Sequence, residues 1–591
     1  MKNIVKVWRS STAFLLSAFS FLILVSCSQE EILTQETSAL RFVVGDFPTF
    51  GEGTQTRVIG TQDVGKTAWA NEDKILVHLY SQKYGDQAVT LTFDAGSNTW
   101  ESDDASLNYL ENETPTITAV YAPDCEIKSD ETIGLLEGKK YGEAEYILAK
   151  TTISGNTVDI SFERGRIYSR LRIVVEAEQT ITVTTTGFTP AGPENISAPE
   201  SYTLVVDEKD NAYLYGTFAE NGTVTVKKGD AELTTQTFSV TSEQGKSYAL
   251  DATPIIVLTQ YEDGATIDIT YSSRIIGDGT EYNLSLNIAE NATVLFEEGT
   301  GGVQLNAITV ADNKTLTLKV KGNVWHSVKE GISIGNGSNV IIEGESVKEN
   351  NKLTVTATDG NAAIGANNGV TAGDITIRNA RVEATGGSKE APEIHTYASI
   401  SGAAIGTSDG SMGNILIENS IIIAEGGYYE SSSHAAAIGI GYVGSTMGDI
   451  TLKDSQITAT NKGDGLASVI GAGWNHHVFE VVGTLGDIVI TNTDLNLSMV
   501  ISITNLYGAF IGPGFINSNA YINMGKIIFS DMTQAELDEM IGTWKDPNDF
   551  YEWAVYSLGK EYKDCAFGGV WVSDGNGGTI RIDDGNGYNM E

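Results

Sequence analysis

Six histidines are the first residues to examine for chemistry: His78, His326, His395, His434, His476 and His477. None sits at a zinc-ligand spacing. The pair His476-His477 follows Trp474-Asn475 in an insertion after Gly471. An indole there could stack a sugar ring while Asn475 and an imidazole hydrogen-bond its hydroxyls. The plainer alternative is a solvated loop with Trp474 half-buried. Tyr428-Tyr429, followed by Glu430 and then His434, forms a second cluster of this kind. Insertions in repeat proteins tend to fall on one face, so the two clusters are expected to share a surface. Trp474, Asn475, His476, His477, Tyr428 and Tyr429 are therefore the candidate glycan-binding residues.

Other chemistries find less support. Asp574-Gly575-Asn576-Gly577 and Asp583-Asp584-Gly585-Asn586-Gly587 offer oxygens that suit calcium. They lack the full EF-hand pattern, and Asn-Gly is a strong hairpin signal, so they read as turns flanking residues 579–582. No Gly-Lys-Ser/Thr phosphate loop, Gly-x-Ser-x-Gly elbow or Cys-Gly-x-Cys nucleophile is present. Carboxylates are plentiful, but a glycosidase pair is defined by a separation in space. Basic residues are scarce in the Gly-rich repeats of the C-terminal half; Arg378, Arg381, Lys453, Lys462 and Lys526 are nearly all of them. A lyase acting on uronates needs cations to neutralise the carboxylate and a base to take the proton. The expectation is a non-enzymatic chain with no cofactor and no metal. The rival is a polysaccharide lyase or glycoside hydrolase. A net charge of −40 argues against binding nucleic acid, or an anionic leaflet, by charge.

The elements that would position these clusters are repeats. A Gly followed by a short apolar run recurs at Gly373, Gly413, Gly448, Gly486 and Gly525, as in Gly448-Asp449-Ile450-Thr451-Leu452. Asn or Asp stands at the sixth place after each: Asn379, Asn419, Asp454, Asn492 and Asp531. Upstream comes an Ile-Gly pair: Ile364-Gly365, Ile405-Gly406, Ile438-Gly439, Ile470-Gly471 and Ile511-Gly512. The period is roughly 35 to 41 residues, with three short strands in each repeat, which is the layout of one coil of a parallel β-helix. The Ile residues are expected to fill an inner column, because a single coil cannot bury them alone. The Gly fits a corner that needs positive φ or close backbone approach. The Asn/Asp row reads as a ladder stacking coil on coil rather than a row of ligands. About six coils would stand roughly 30 Å tall.

Residues 1–27 read as a processing segment. Lys2, Lys6 and Arg9 precede an apolar run, Ala13 to Val25, too short to span a bilayer. The run ends in Leu24-Val25-Ser26-Cys27, which resembles the lipobox of bacterial lipoproteins. The resemblance implies lipid, palmitate included, on Cys27. Ser28-Gln29-Glu30-Glu31 is similar to an acidic surface-export signal. Together these imply a surface-exposed, lipid-anchored protein of the cell outer membrane. Cys125 and Cys565 lie in different expected domains and are expected to be free thiols.

From residue 39 to about 253, strands of alternating polarity replace the repeats, for example Ile75 to Leu79 and Thr116 to Tyr121. Ala68-Trp69-Ala70-Asn71-Glu72-Asp73-Lys74-Ile75-Leu76-Val77, the later Asn98-Thr99-Trp100 and Tyr121-Ala122-Pro123, and Gly245-Lys246-Ser247-Tyr248-Ala249-Leu250 are similar to motifs of the fimbrillin family of surface lipoproteins. That family includes the type V pilins. Ser169-Arg170 stands where it usually has Ala-Lys. The resemblance implies a role in fimbriae and cell adhesion, with other fimbrial subunits as partners. It also makes Arg57 a candidate processing site, since such pilins are cut after an Arg near the N-terminus and a neighbour's strand fills the groove this opens. The alternative for Arg57 is an ordinary surface-loop residue. With no obvious long donor strand, a fimbrial tip or a stand-alone adhesin fits better than a repeating subunit.

The expected fold is all-β. A signal peptide (1–27) and tether (28–38) precede a fimbrillin-like β-sandwich (39–175) and a second β-sandwich (176–253). A right-handed parallel β-helix (254–530) and a C-terminal cap (531–591) with two short helices complete the chain.

Overall fold

The structure is a computed structural model. It describes residues 40–583 apart from 53–65, 104–106, 111–112, 163–166, 176–179, 349, 368, 390–400, 430–432, 443, 463–466, 476–480, 500–509, 513–519, 542–566 and 577. Strand accounts for 54% of it and helix for 2%, so the fold is nearly all β. Cys27, Arg57, His395, His476, His477, Cys565 and the second expected C-terminal helix lie outside the described residues.

Two compact units divide the chain near residue 166, and the described residues 50–52 and 140–144 belong to the second. In the first, an antiparallel sheet runs in the order Thr99–Ser102, Gly85–Asp94, Lys74–Ser81, Thr116–Tyr121, Ile147–Leu148. A three-stranded sheet pairs Thr157–Ser161 with Lys150–Ser154 and, in parallel, with Arg41–Val44. The motif residues of this half meet in one aromatic cluster. The Trp69 ring stands 4.9 Å from Phe47, 4.9 Å from Trp100 and 5.4 Å from both Tyr121 and Phe162. Trp69 Nε1–H donates to Gly45 O at 2.9 Å. Asp73 takes the Ala70 N–H at 2.6 Å and pairs with Lys66. The motif spacing thus serves a core that clamps the N-terminal segment.

In the second unit a seven-stranded sheet centres on Asn211–Lys228 and Ser169–Val174. Ser169–Val174 was expected to close the preceding domain. It pairs instead with Asn211–Lys228 on one side and Lys246–Asp251 on the other, because Leu171 and Ile173 are fully buried in this sheet's core. Arg274 joins this sheet to the first coils of the β-helix, bonding Asp251 at 2.6 Å and Glu297 at 2.9 Å.

From Ile255 onward three long parallel sheets share the strands of successive coils, an arrangement consistent with a parallel β-helix. They contain 12, 9 and 7 described strands, parallel throughout but for Thr579–Arg581 at the end of the first, and form the first, second and third faces of the column. Nine described strands on the second face and eleven parallel ones on the first mean more coils than the repeat motif suggests, and the column is about 50 Å tall. The extra coils are short. Ile267, Leu286, Ile308 and Ile332 stack at a spacing of roughly 19 to 24 residues without the Ile-Gly signature. The column also runs past residue 530, where Val570–Ser573 pairs in parallel with Ile527–Phe529. The single described α-helix, Gln534–Ile541, buries Leu537 in the same apolar cluster. Thr533 caps it, exchanging hydrogen bonds with Glu536.

The inner column is as expected: Ile364, Ile405, Ile438, Ile470, Ile375, Ile415, Ile450 and Ile488 are all fully buried. Gly406, Gly439, Gly471 and Gly512 of the Ile-Gly pairs have φ between 134° and 143°, where other residues are strained. The second set of glycines works by close approach. A Cβ at Gly413, Gly448, Gly486 or Gly525 would overlap a side-chain oxygen of the coil before: Asp374, Asn414, Asp449 or Asp487. Those oxygens form a ladder. Oδ1 of Asp374 accepts the Asn414 N–H at 2.6 Å, Asn414 that of Asp449 at 2.8 Å, Asp449 that of Asp487 at 2.7 Å, and Asp487 that of Lys526 at 2.7 Å. The row six residues after each Gly also stacks, with Asn492 Nδ2 donating to Asp454 Oδ1 at 2.7 Å. Asn379, Asn419, Asp454 and Asn492 additionally hold φ of 42° to 51°, which Asn and Asp tolerate best after Gly.

Ile450 packs between Ile415 and Ile488 in this column. Ile450→Asp buries an unpaired charge and is expected to abolish the cooperative unfolding and protease resistance of the column. A soluble, protease-resistant Ile450→Asp protein would show that the residue does not face the core.

Candidate functional site

The two aromatic clusters are brought together. Tyr428–Tyr429, Ser433–His434 and Trp474–Asn475 form a small antiparallel sheet off the coils. Tyr428 stands opposite His434, and His434 opposite Trp474; Tyr429, Ser433 and Asn475 form the alternate row. Directly opposed positions share a face, so positions 428, 434 and 474 lie together. Tyr428 is 41% exposed and His434 is fully buried.

The column dictates this meeting. Ile421–Gly426, on the third face, runs out through Gly427 into Tyr428. The chain returns through His434 to the second-face strand Ile438–Ile440. In the next coil Ile470–Ala472 leads through Gly473 into Trp474. A Cβ at Gly473 would come to 2.6 Å of His434 O, so only Gly lets the two strands approach. Gly427 N–H donates to Gly402 O at 2.9 Å, and Tyr428 N–H to Ser388 Oγ at 3.0 Å. Ser388 is itself bridged to Ser401, so the insertion between them leaves from the same edge.

The other two described histidines, His78 and His326, do other work. His78 Nε2 lies 2.8 Å from Asp86 Oδ1 in the first unit. His326 is buried in an early coil, where Nδ1 accepts the Val303 N–H at 3.0 Å and Nε2 donates to Lys321 O at 3.1 Å. Burial holds its imidazole below the ordinary value of 6.5, and the Lys321 carbonyl and Glu298 carboxylate only partly oppose this. The Cys125 thiol is free and pushed up to about 11, first by burial and then by Asp124, which makes it a poor nucleophile.

Among the described residues no group of three His, Cys, Asp or Glu could hold a metal ion. Asp574 is a turn residue: its Oδ1 accepts N–H groups from Asn576 at 2.8 Å and Gly578 at 2.9 Å. Val570–Ser573 and Thr579–Arg581 pair antiparallel across it, the expected hairpin. The five cations of the repeats named above face anions or a ring. Arg378 and Lys453 flank Glu418 at 3.7 and 2.6 Å, Arg381 meets Glu383 at 3.5 Å, Lys462 pairs with Glu425, and Lys526 lies 4.8 Å from the Trp571 ring centre. In register on the first face, Lys319, Glu343, Arg378, Glu418 and Lys453 alternate in sign from coil to coil, a pattern that sequence spacing did not expose. No described helix is long and apolar enough to cross a membrane.

No protein-family description matches the chain, and no curated protein does. A candidate cell adhesion protein of Bacteroides fragilis, known from its crystal structure, is similar over 36% of this chain and 92% of its own, at 12% identity and a TM-score of 0.20. A likeness at that score carries no argument about this site.

Neutral His326 contributes stability that is whole above about pH 6.5 and is lost as the pH falls below that value, because the unfolded chain then takes up the proton first. The difference in melting temperature between the native protein and His326→Asn is therefore expected to shrink from pH 7.5 to pH 5. A constant difference would contradict the depressed pKa.

Proposed function

We propose that this chain is a surface-anchored, fimbrillin-like lipoprotein that acts in cell adhesion and holds glycans through its β-helix. On this reading lipid on Cys27 tethers it to the outer membrane, two N-terminal β-sandwiches carry the attachment role, and a C-terminal cap closes a right-handed column. It would serve as a fimbrial tip or a solitary adhesin.

The observation that carries the binding role is the pairing of Tyr428–Tyr429, Ser433–His434 and Trp474–Asn475. Residues from two insertions become one small surface on a rigid support, as a recognition site requires. Binding is favoured over catalysis by the use of the cations in the repeats. Arg378, Lys453 and Lys462 are engaged by carboxylates of a neighbouring coil, Arg381 by Glu383 of its own strand, and Lys526 lies over an indole, so these cations serve contacts within the column rather than a bound uronate. Arg57 remains a candidate processing site. A cut there would separate from the rest of the chain both Arg41–Val44, paired with Thr157–Ser161, and Gly51–Glu52, paired with Lys246–Asp251.

A glycan array probed with the full chain, run beside reducing-sugar and unsaturated-product assays, tests this reading. Binding without product is expected, with affinity falling about ten-fold or more in Trp474→Ala and Tyr428→Ala, the scale of a lost aromatic anchor. Turnover of any polysaccharide would overturn it in favour of an enzyme.

A further inference from the structure

Trp325 is the most exposed aromatic side chain among the described residues, at 63%. It opens the strand Trp325–Val328 on the third face, three strands before Ile421–Gly426 and so outside the three-stranded cluster. Its neighbours fix the ring and leave it open. In the next coil Lys352 is in register with it, and Nζ lies 4.0 Å from the ring centre. That ammonium is itself held by Glu383 at 2.6 Å. In the coil before, the residue against Trp325 is Gly302, next to Gly301. A Cβ at Gly302 would overlap the Trp325 carbonyl, and one at Gly301 would come to 2.5 Å of the Gly279 backbone. Tight stacking of backbone at this corner therefore demands glycine, and neither glycine sets a side chain beside the indole. His326, the next residue, is buried and bonded at both ring nitrogens, which fixes the strand under Trp325.

An indole held by a cation on one side and widely exposed elsewhere is already ordered before a ligand arrives. Its flat apolar surface, bordered by hydroxyls, suits the C–H face of a pyranose, with polar groups beside it for the sugar hydroxyls. Ser327 and Thr354 supply those hydroxyls, in register with each other in the adjoining outward column. The nearby cations do not suit an acidic sugar. Lys352 and Arg381 both face Glu383, and the chain carries a net charge of −40.

We propose that Trp325 is a second carbohydrate-contact platform, one that takes a neutral pyranose of a glycan chain. This site does not depend on the Tyr428–Trp474 cluster. The test uses the full chain in calorimetric titrations with cellohexaose and mannohexaose, and with hexagalacturonate as the acidic counterpart. At least one neutral hexasaccharide is expected to bind. Trp325→Ala should weaken that binding about ten-fold or more at unchanged melting temperature, and Trp325→Tyr should restore most of it. Lys352→Met, which frees the ring, should weaken it less than Trp325→Ala. Binding unchanged in Trp325→Ala, binding confined to hexagalacturonate, or no binding to any of the three would overturn the proposal. Tyr428→Ala and Trp474→Ala separate the two sites. Loss in those variants alone removes the Trp325 platform, and loss in Trp325→Ala alone removes the other cluster.

Discussion

The Oδ1 atom of Asp449 accepts the backbone N–H of Asp487 one coil later, and the same bond recurs from Asn339 through Asp374, Asn414 and Asp449 to Asp487 and Lys526. Gly and Asx in each repeat are two halves of one device. The oxygen satisfies an amide at a corner where the sheet ladder is interrupted, and the Gly of the next coil leaves room for it. A shift of one residue in any coil would set a Cβ against that oxygen and turn the buried Ile outward. Register is thus fixed at the corner and read out in the core. The row stops at Lys526, which has no side-chain acceptor to offer and lies over Trp571 instead.

A column held in this way keeps its geometry where the sequence departs from the repeat. The coils on either side of residues 388–401, 427–435 and 473–481 keep their Ile residues fully buried. The pairing of His434 with both Tyr428 and Trp474 depends on adjacent coils holding fixed register beneath them. Alternating charges from Lys319 to Lys453 on the first face reinforce that register at the surface, where single pairs contribute little. Scarce cations in an acidic chain are thereby committed to architecture.

Much of this was legible from the repeat itself. The buried Ile rows and the stacking Asn/Asp row derive from period and residue type, and the strands that carry Tyr428–Tyr429 and Trp474–Asn475 do join one small sheet. The remainder was hidden for physical reasons. The early coils around Ile267 to Ile332 are short and alternate like ordinary strands, so their pairing leaves no mark in the sequence. The Asx after each Gly looks like a strand residue, because its role is a bond to a chain segment some 40 residues away. The αL requirement at Asn379 and its counterparts was hidden behind their stacking role. Trp325 lies outside the signature repeats, and its register with Lys352 in the next coil and Gly302 in the coil before is not conveyed by spacing.

If the side-chain ladder sets coil register, its loss in Asp449→Ala must show in native-state hydrogen exchange. Asp487 loses its acceptor in that variant. Its amide and those of Ile488 to Ile490 should exchange faster, by the equivalent of about 1–3 kcal/mol, while the first unit is unaffected. Asp449→Asn, which keeps Oδ1, should retain most of the protection. Unchanged protection at Asp487 in Asp449→Ala would show that the ladder does not hold register and leave the buried Ile column as its determinant.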